Sequence, residues 1–234
     1  MKIDLHTHTS YGSACAYMDP DQLVERAKFM GLDGVCITEH DQIWDVEALA
    51  RLRKKHNFLV IGGVEVSTDC GEILAFGLHE SVLNIFKAQD LKETVDEAGA
   101  VMILAHPFRY KPDLLATYFR STSTGDSRTN VIETVCRQPV FTMLDAVEVY
   151  NGHSGFDEIE FTHLVAERLH LKGTGGSDAH ATLEVGSCYS VFEDVIGDEQ
   201  DFIEQIKRGR FYGVDQRWSD LPYEIRSRGQ REAF

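Results

Sequence analysis

The sequence predicts a single α/β domain whose parallel strands close into a barrel, on three observations. Strand and helix signals alternate about seven times along the 234 residues, the pattern of strand–helix–strand crossovers. Polar residues suited to chemistry recur at the C-terminal end of one strand after another, or just beyond it: His6/His8, His40, Glu65, His106, Asn151 and Asp178/His180. An open doubly wound sheet gathers such groups at a switch point between two strands. Only a barrel brings six strand ends around one point, at the face where barrel enzymes keep their chemistry.

The elements follow in order. A first apolar run ends at Asp4-Leu5-His6-Thr7-His8, and a polar loop covers Thr9 to Asp19. Asp19 as N-cap, Pro20 at the first helical position and Gln22 closing a capping box start a helix that Gly31 stops. The strand Gly34 to Thr38 runs into Glu39-His40-Asp41, and a second helix spans about Asp45 to His56, with basic residues at its C-terminal end. Phe58 to Ile61 leads through two glycines to Val64-Glu65-Val66, and Glu72 to Gly77 reads as a short strand. A helix starting at Asp90 and stopped by Gly99 precedes the apolar strand Ala100 to Ala105, which ends at His106-Pro107.

From 108 to 143 the rhythm breaks. An irregular connection of that length should carry its own helices or act as a lid. Strand–helix alternation resumes with Ala146 to Asn151, a helix to about Leu171, and the glycine-rich strand end Gly173 to Ser177 before Asp178. A strand at Ser187 to Phe192, a helix capped by Asp198 and stopped by Gly209, and a strand at Phe211 to Val214 complete the domain, 1–214. Residues 215–234 read as a polar, peripheral tail.

Composition narrows the partners. A hydrophobic content of 43% and a charged content of 26% are ordinary for a globular protein. The formal net charge of −15 works against binding duplex nucleic acid, which needs clustered Lys and Arg. It leaves room for a small anionic substrate, because bound cations reverse the potential locally. Cysteines 15, 36, 70, 136 and 188 are scattered, odd in number and without a C-x-x-C pair, as expected of reduced thiols in a cytoplasmic protein. The N-terminus has no apolar signal-peptide core, and no apolar run reaches membrane-spanning length.

Residues i and i+2 of a strand face the same way, so His6 and His8 converge, with Asp4 expected one step deeper on that face. Two imidazoles aimed at one point can share a metal ion. The same device recurs at Asp178-Ala179-His180.

Taken together, Asp-Leu-His-Thr-His (4–8), Ile-Thr-Glu-His-Asp (37–41), Gly-Val-Glu-Val (63–66), Ala-His-Pro-Phe-Arg (105–109) and Gly-Ser-Asp-Ala-His (176–180) resemble the motifs of the PHP superfamily, named for polymerase and histidinol phosphatase. The resemblance spans residues 4 to about 214. It implies a distorted (β/α)7 barrel with up to three divalent metals at the C-terminal rim, hydrolysing a phosphoester with a metal-bound hydroxide. It assigns His6, His8, Glu65 and Asp178 to one metal, Glu65 and His106 to a second, and His40 and His180 to a third. Mixed imidazole and carboxylate donors suit Zn, Mn or Fe alike. His180, Asp178 and Arg109 become the candidate catalytic groups, and Arg109 and Asn151 the candidate substrate contacts. Arg109 is placed either to hold a phosphate bidentately or to form a rim salt bridge. Asn151 either orients a ligand or caps the next helix.

Two positions depart from the family pattern. Leu74 stands where many members have a histidine, and Ser13-Ala14 where many have Asp or His. The second and third sites therefore each lack a protein ligand, with Cys15 and His79 as unmatched substitutes. The function expected is hydrolysis of a small phosphorylated metabolite, nucleotide or short oligonucleotide. The alternatives are a 3′–5′ exonuclease-like activity and a non-catalytic metal- or ligand-binding module.

Overall fold

The computed structural model describes residues 1–120 and 126–218. Among the described residues nine strands form one sheet. The strands β1 (Lys2–Asp4), β2 (Gly34–His40) and β3 (Leu59–Thr68) pair in parallel. Then β4 (Gly71–Phe76) turns back antiparallel, and β5 (Val101–Leu104) runs antiparallel to it, which restores the first direction. Next come β6 (Ala146–Asn151) and β7 (Gly173–Gly176), again parallel. An antiparallel pair, β8 (Cys188–Phe192) and β9 (Phe211–Asp215), lies on the other side of β1.

The nearly closed barrel thus departs from a uniform strand–helix repeat at two places: no helix separates β3 from β4 or β7 from β8, and β4 and β8 both run against their neighbours. The β3–β4 connection is a tight turn, so β4 contributes its N-terminal end to the rim where the parallel strands contribute their C-terminal ends. The last gap is closed beyond β1 and β7. Thr7 bridges Ala179, Asp178 N–H donates to His6 O at 2.7 Å, and His8 N–H donates to Ala179 O. Small residues make this closure possible: a Cβ on Gly176 would lie 2.5 Å from His6 Cβ, and one on Gly175 2.4 Å from Tyr189 O.

The first helix, α1 (Pro20–Phe29), has the expected capping box of Asp19 and Gln22. The second, α2 (Val46–His56), is capped by Asp45, whose carboxylate accepts from Ala48 N–H. The third, α3 (Ala88–Ala98), begins two residues before the expected Asp90. Its first N–H is satisfied from outside, by Asp69 Oδ1 at 2.9 Å, so no cap residue marks the start in the local sequence.

Within 108–143 lie α4 (Pro112–Arg120), α5 (Asp126–Cys136) and a short 3₁₀ turn, Pro139–Thr142. Leu115, Tyr118, Val135 and Phe141 of this segment join the apolar cluster around Phe161 of α6 (Phe156–Leu169). The Phe161 ring meets Tyr118 and Phe108 edge-on at centroid distances of 4.9 and 4.8 Å. The segment therefore packs on the outside of the barrel as helices; part of the polar run 121–127 lies outside the described residues. The expected tail starts later than 215. Asp215 belongs to β9, and Arg217 pairs with Asp215 while donating to the carbonyls of Gly152 and Ser154. Residues 219–234 of that tail lie outside the described residues. The last helix, α7 (Glu199–Arg208), sends Phe202, Ile203 and Ile206 to the barrel interior.

Candidate metal centre

The candidate residues from distant parts of the chain meet at the rim. The register aligns His40 of β2 with Glu65 of β3, and Glu65 with Leu74 of β4. His6 and His8 follow β1, His106 follows β5, Asn151 ends β6, and Asp178 and His180 follow β7. His106 and Asp178 both have left-handed backbones, φ 26° and 54°. Asp tolerates this region better than most residues. At His106 it is strain held by the surrounding structure at a functional position.

Four groups face each other at the centre. His6 Nε2 lies 3.1 Å from His8 Nε2, 3.3 Å from Glu65 Oε1 and 3.4 Å from Asp178 Oδ1. His8 Nε2 lies 3.3 Å from Glu65 Oε2 and 3.2 Å from Asp178 Oδ1. Donor atoms sharing a tetrahedral ion with bonds of about 2.0–2.1 Å would be about 3.3–3.4 Å apart, so His6 Nε2, His8 Nε2 and Asp178 Oδ1 match three edges of such a site, with Glu65 beside them. Glu65 is 1% exposed, yet its Oε2 has no aligned N–H or O–H, although His40 Nδ1 approaches to 3.0 Å. A buried carboxylate oxygen surrounded by ring nitrogens, none of them aligned to donate to it, fits a shared cation. Around this centre, His8, His40 and His180 group together, as do His40, Glu65 and Glu72.

The imidazoles are oriented from behind. His6 Nδ1 is 3.0 Å from Glu148 Oε1, which leaves Nε2 free to face the centre. Glu148 also accepts from His106 N–H at 3.0 Å and from Asn151 Nδ2 at 2.9 Å. His8 Nδ1 faces Ser13 Oγ, and Ser13 in turn donates to the fully buried Glu39 at 2.5 Å. Glu39 also accepts from Thr9 N–H and Trp44 Nε1. Such carboxylate–imidazole contacts fix the tautomer and ring orientation of metal-binding histidines.

Charge follows the same geometry. Burial opposes ionisation of His6, but Asp178, Glu65 and Glu148 raise its pKa well above the usual value. Burial likewise works against Glu65, and His6, His106 and His40 hold it well below the carboxylate range. Asp178 is depressed against its burial by His6, His8 and Arg109. Burial lowers His8, whereas the neighbouring Glu65 raises His40. Asp4 is fully buried and joins none of the candidate metal groups among the described residues. Its carboxylate accepts from the backbones of Ser177, Gly186 and His6, and burial pushes it up to about 6 despite those donors.

Arg109 Nη2 donates to Asp178 Oδ2 at 2.6 Å and to Asn151 Oδ1. The side chain is 16% exposed, and its Nε has no partner among the described residues. Asn151 does not cap the following helix: α6 starts at Phe156 behind Gly155, and Asn151 accepts from His153 N–H at 2.8 Å.

The substitutes considered for missing ligands are not brought in. His79 pairs with Glu199 at 3.3 Å beyond the far end of β4, and Cys15 joins no candidate group among the described residues. Three carboxylates around the centre carried no assigned role in the sequence: Glu39, Glu72 and Glu148. Glu39 directly precedes a candidate ligand, and Glu72 shares a strand face with Leu74, so both had a local signal. Glu148, three residues before Asn151 in an apolar strand, carried only its unusual polarity.

Fold and site together define a class of protein: an α/β barrel with a histidine and carboxylate cluster fit for divalent cations at its C-terminal rim. The PHP domain model matches residues 4–136, and a PHP-associated model matches 164–211. The chain belongs to the PHP domain family. It is 30% identical over 207 residues to an uncharacterized protein of Methanocaldococcus jannaschii, covering 86% of this chain and 74% of the relative. A DNA polymerase III of PolC type from Oceanobacillus iheyensis is 29% identical over 113 residues, 44% of this chain and 8% of the polymerase. Among solved structures, a two-domain Bacteroides vulgatus protein containing a PHP-like metal-dependent phosphoesterase superposes with a TM-score of 0.67 at 20% identity. That match covers 92% of this chain and 64% of the Bacteroides chain.

Proposed function

We propose that the protein hydrolyses the phosphoester of a small phosphorylated molecule, a metabolite, nucleotide or short oligonucleotide, with the help of divalent cations. The observation that carries this reading is the buried His6/His8/Asp178 group, with Glu65 3.3 Å from both imidazoles and the Arg109 guanidinium bonded to Asp178. His6, His8, Glu65 and Asp178 would hold one ion, Glu65 and His106 a second, and His40 and His180 a third. Zn, Mn and Fe all suit these donors. Such ions, when bound, lower the pKa of water and neutralise charge on phosphate oxygens.

The chain's own groups do the rest. Glu148 and Ser13 hold the His6 and His8 rings in register. Asn151 and Asp178 fix one end of the Arg109 guanidinium, the group that would hold a phosphate oxygen. The five cysteines are unpaired, which fits a reducing cytoplasmic location. Among the described residues no helix is long and apolar enough to cross a membrane.

The test is hydrolysis of a chromogenic phosphomonoester and phosphodiester by protein loaded with Mn, Zn or Fe. Turnover that disappears on chelation is expected. Metal-loaded protein inert toward both esters and a panel of nucleotides would overturn the reading in favour of a non-catalytic binding module. Arg109→Ala should raise KM about ten- to hundredfold, the worth of one charge-assisted contact. A second reading, a 3′–5′ exonuclease-like activity, would be revealed by stepwise shortening of an end-labelled oligonucleotide.

A further inference from the structure

We propose that Glu72 is a cation ligand in this chain. It completes a site with Glu65 and His106, beside His40, and replaces the imidazole that the family pattern places at residue 74. The inference rests on the metal-dependent reading above and deepens it.

The geometry comes from the reversal of β4. Because that strand runs antiparallel, its first residues reach the rim and its later ones descend into the barrel. Leu74 lies opposite Glu65 and Glu72 opposite Ser67, one step nearer solvent on the same face. Leu74 is fully buried in the interior apolar cluster, whereas Glu72 is 30% exposed. Glu72 Oε2 reaches 3.6 Å from His106 Nε2, which already lies 3.1 Å from Glu65 Oε1. Oxygens of Glu72 and Glu65 and a ring nitrogen of His40 all fall within 4.8 Å of one another.

Two carboxylates thus share one imidazole nitrogen, and no Lys or Arg pairs with Glu72 among the described residues. Like charges placed so close repel unless a cation lies between them. A second sign of that cation is the Glu65 Oε2 atom, buried and without an aligned donor, facing His40, the imidazole grouped with Glu65 and Glu72. The exchange also changes selectivity. A carboxylate in place of an imidazole makes the donor set harder, which shifts relative preference from Zn²⁺ toward Mn²⁺.

The experiment is a titration of the chelator-stripped full chain with Mn²⁺, and separately with Zn²⁺. Free Mn²⁺ is read by its EPR signal, and retained metal by elemental analysis after desalting. Glu72→Gln, close in shape to the native residue, and Glu72→Ala should weaken one class of Mn²⁺ site about tenfold to hundredfold and leave the tightest ion in place. Leu74→His added to Glu72→Ala should restore the site with a lower ratio of Mn²⁺ to Zn²⁺ affinity than wild type. Should Glu72→Ala not fold, Glu72→Gln decides the matter alone. Mn²⁺ binding indifferent to Glu72 overturns the inference and leaves the functional reading standing. A wild-type chain that binds no divalent ion overturns both.

Discussion

The lower and upper halves of the barrel interior are built from the same strands and held together by opposite physics. Below, Ile3, Leu5, Ile61, Leu74, Phe76, Ile103 and Phe202 form one buried apolar cluster. Each side chain there gains free energy by leaving water, and the cluster needs nothing beyond its own shape. A few residues further along β1, β3 and β5, the chain places His6, Glu65 and His106, all buried and polar. That layer carries desolvated charge, and its groups repel as well as attract. Stability is made in one half so that the other can hold charge where a substrate can be reached.

Four measurements would break or sharpen this division. The largest effect belongs below. Phe76→Ala removes a fully buried ring that meets Phe202 edge-on at 5.0 Å. A loss of about 3–5 kcal/mol in urea unfolding is expected, and it should be the same with metal or with chelator. A loss that depended on metal would show that the two layers are not separable. Next comes metal itself. Adding Mn²⁺ or Zn²⁺ at about a hundredfold over its dissociation constant should stabilise the protein by about 2.7 kcal/mol, read as a rise in melting temperature that chelator reverses. A melting temperature unmoved by either ion would mean that the upper layer is self-sufficient.

A smaller effect is expected one shell further out. Glu148→Gln withdraws the carboxylate that holds His6 Nδ1 at 3.0 Å. Competition with a chelating dye should show the tightest ion bound about ten- to hundredfold more weakly; unchanged affinity would reduce Glu148 to a packing role. The smallest effect lies outside both layers. Asp21 on α1 pairs with His56 Nε2 at 2.5 Å and with Lys55 Nζ at 2.6 Å at the surface. His56 first, and then Lys55, hold its pKa below the usual carboxylate value. Its stabilisation is therefore present above about pH 4 and lost as pH falls through the lowered value. Asp21→Asn should cost about 0.2–1 kcal/mol near neutral pH and nothing once the carboxyl is protonated. A cost that persisted in acid would assign the effect to packing.

Much of the fold was legible because its signals are local. Asp19, Pro20 and Gln22 start α1 as their chemistry dictates, and apolar runs mark β2, β5 and β6 without help from distant residues. The positions of His6, His8, His40, Glu65, His106, Asp178 and His180 at strand ends follow from such signals together with the closure of a barrel. What the sequence could not determine is every feature whose cause lies across the fold. The reversal of β4 depends on pairing with β3 and β5 at once, and it alone decides that Glu72, rather than residue 74, reaches the rim. The early start of α3 depends on Asp69, nineteen residues earlier, supplying the missing acceptor. Glu148 gains its role because His6, 142 residues away, is brought to its carboxylate. Caps, turns and apolar runs are satisfied within a few residues and so can be read in order. A buried charge takes its meaning from the partners that tertiary structure delivers, because desolvation makes it costly until those partners arrive.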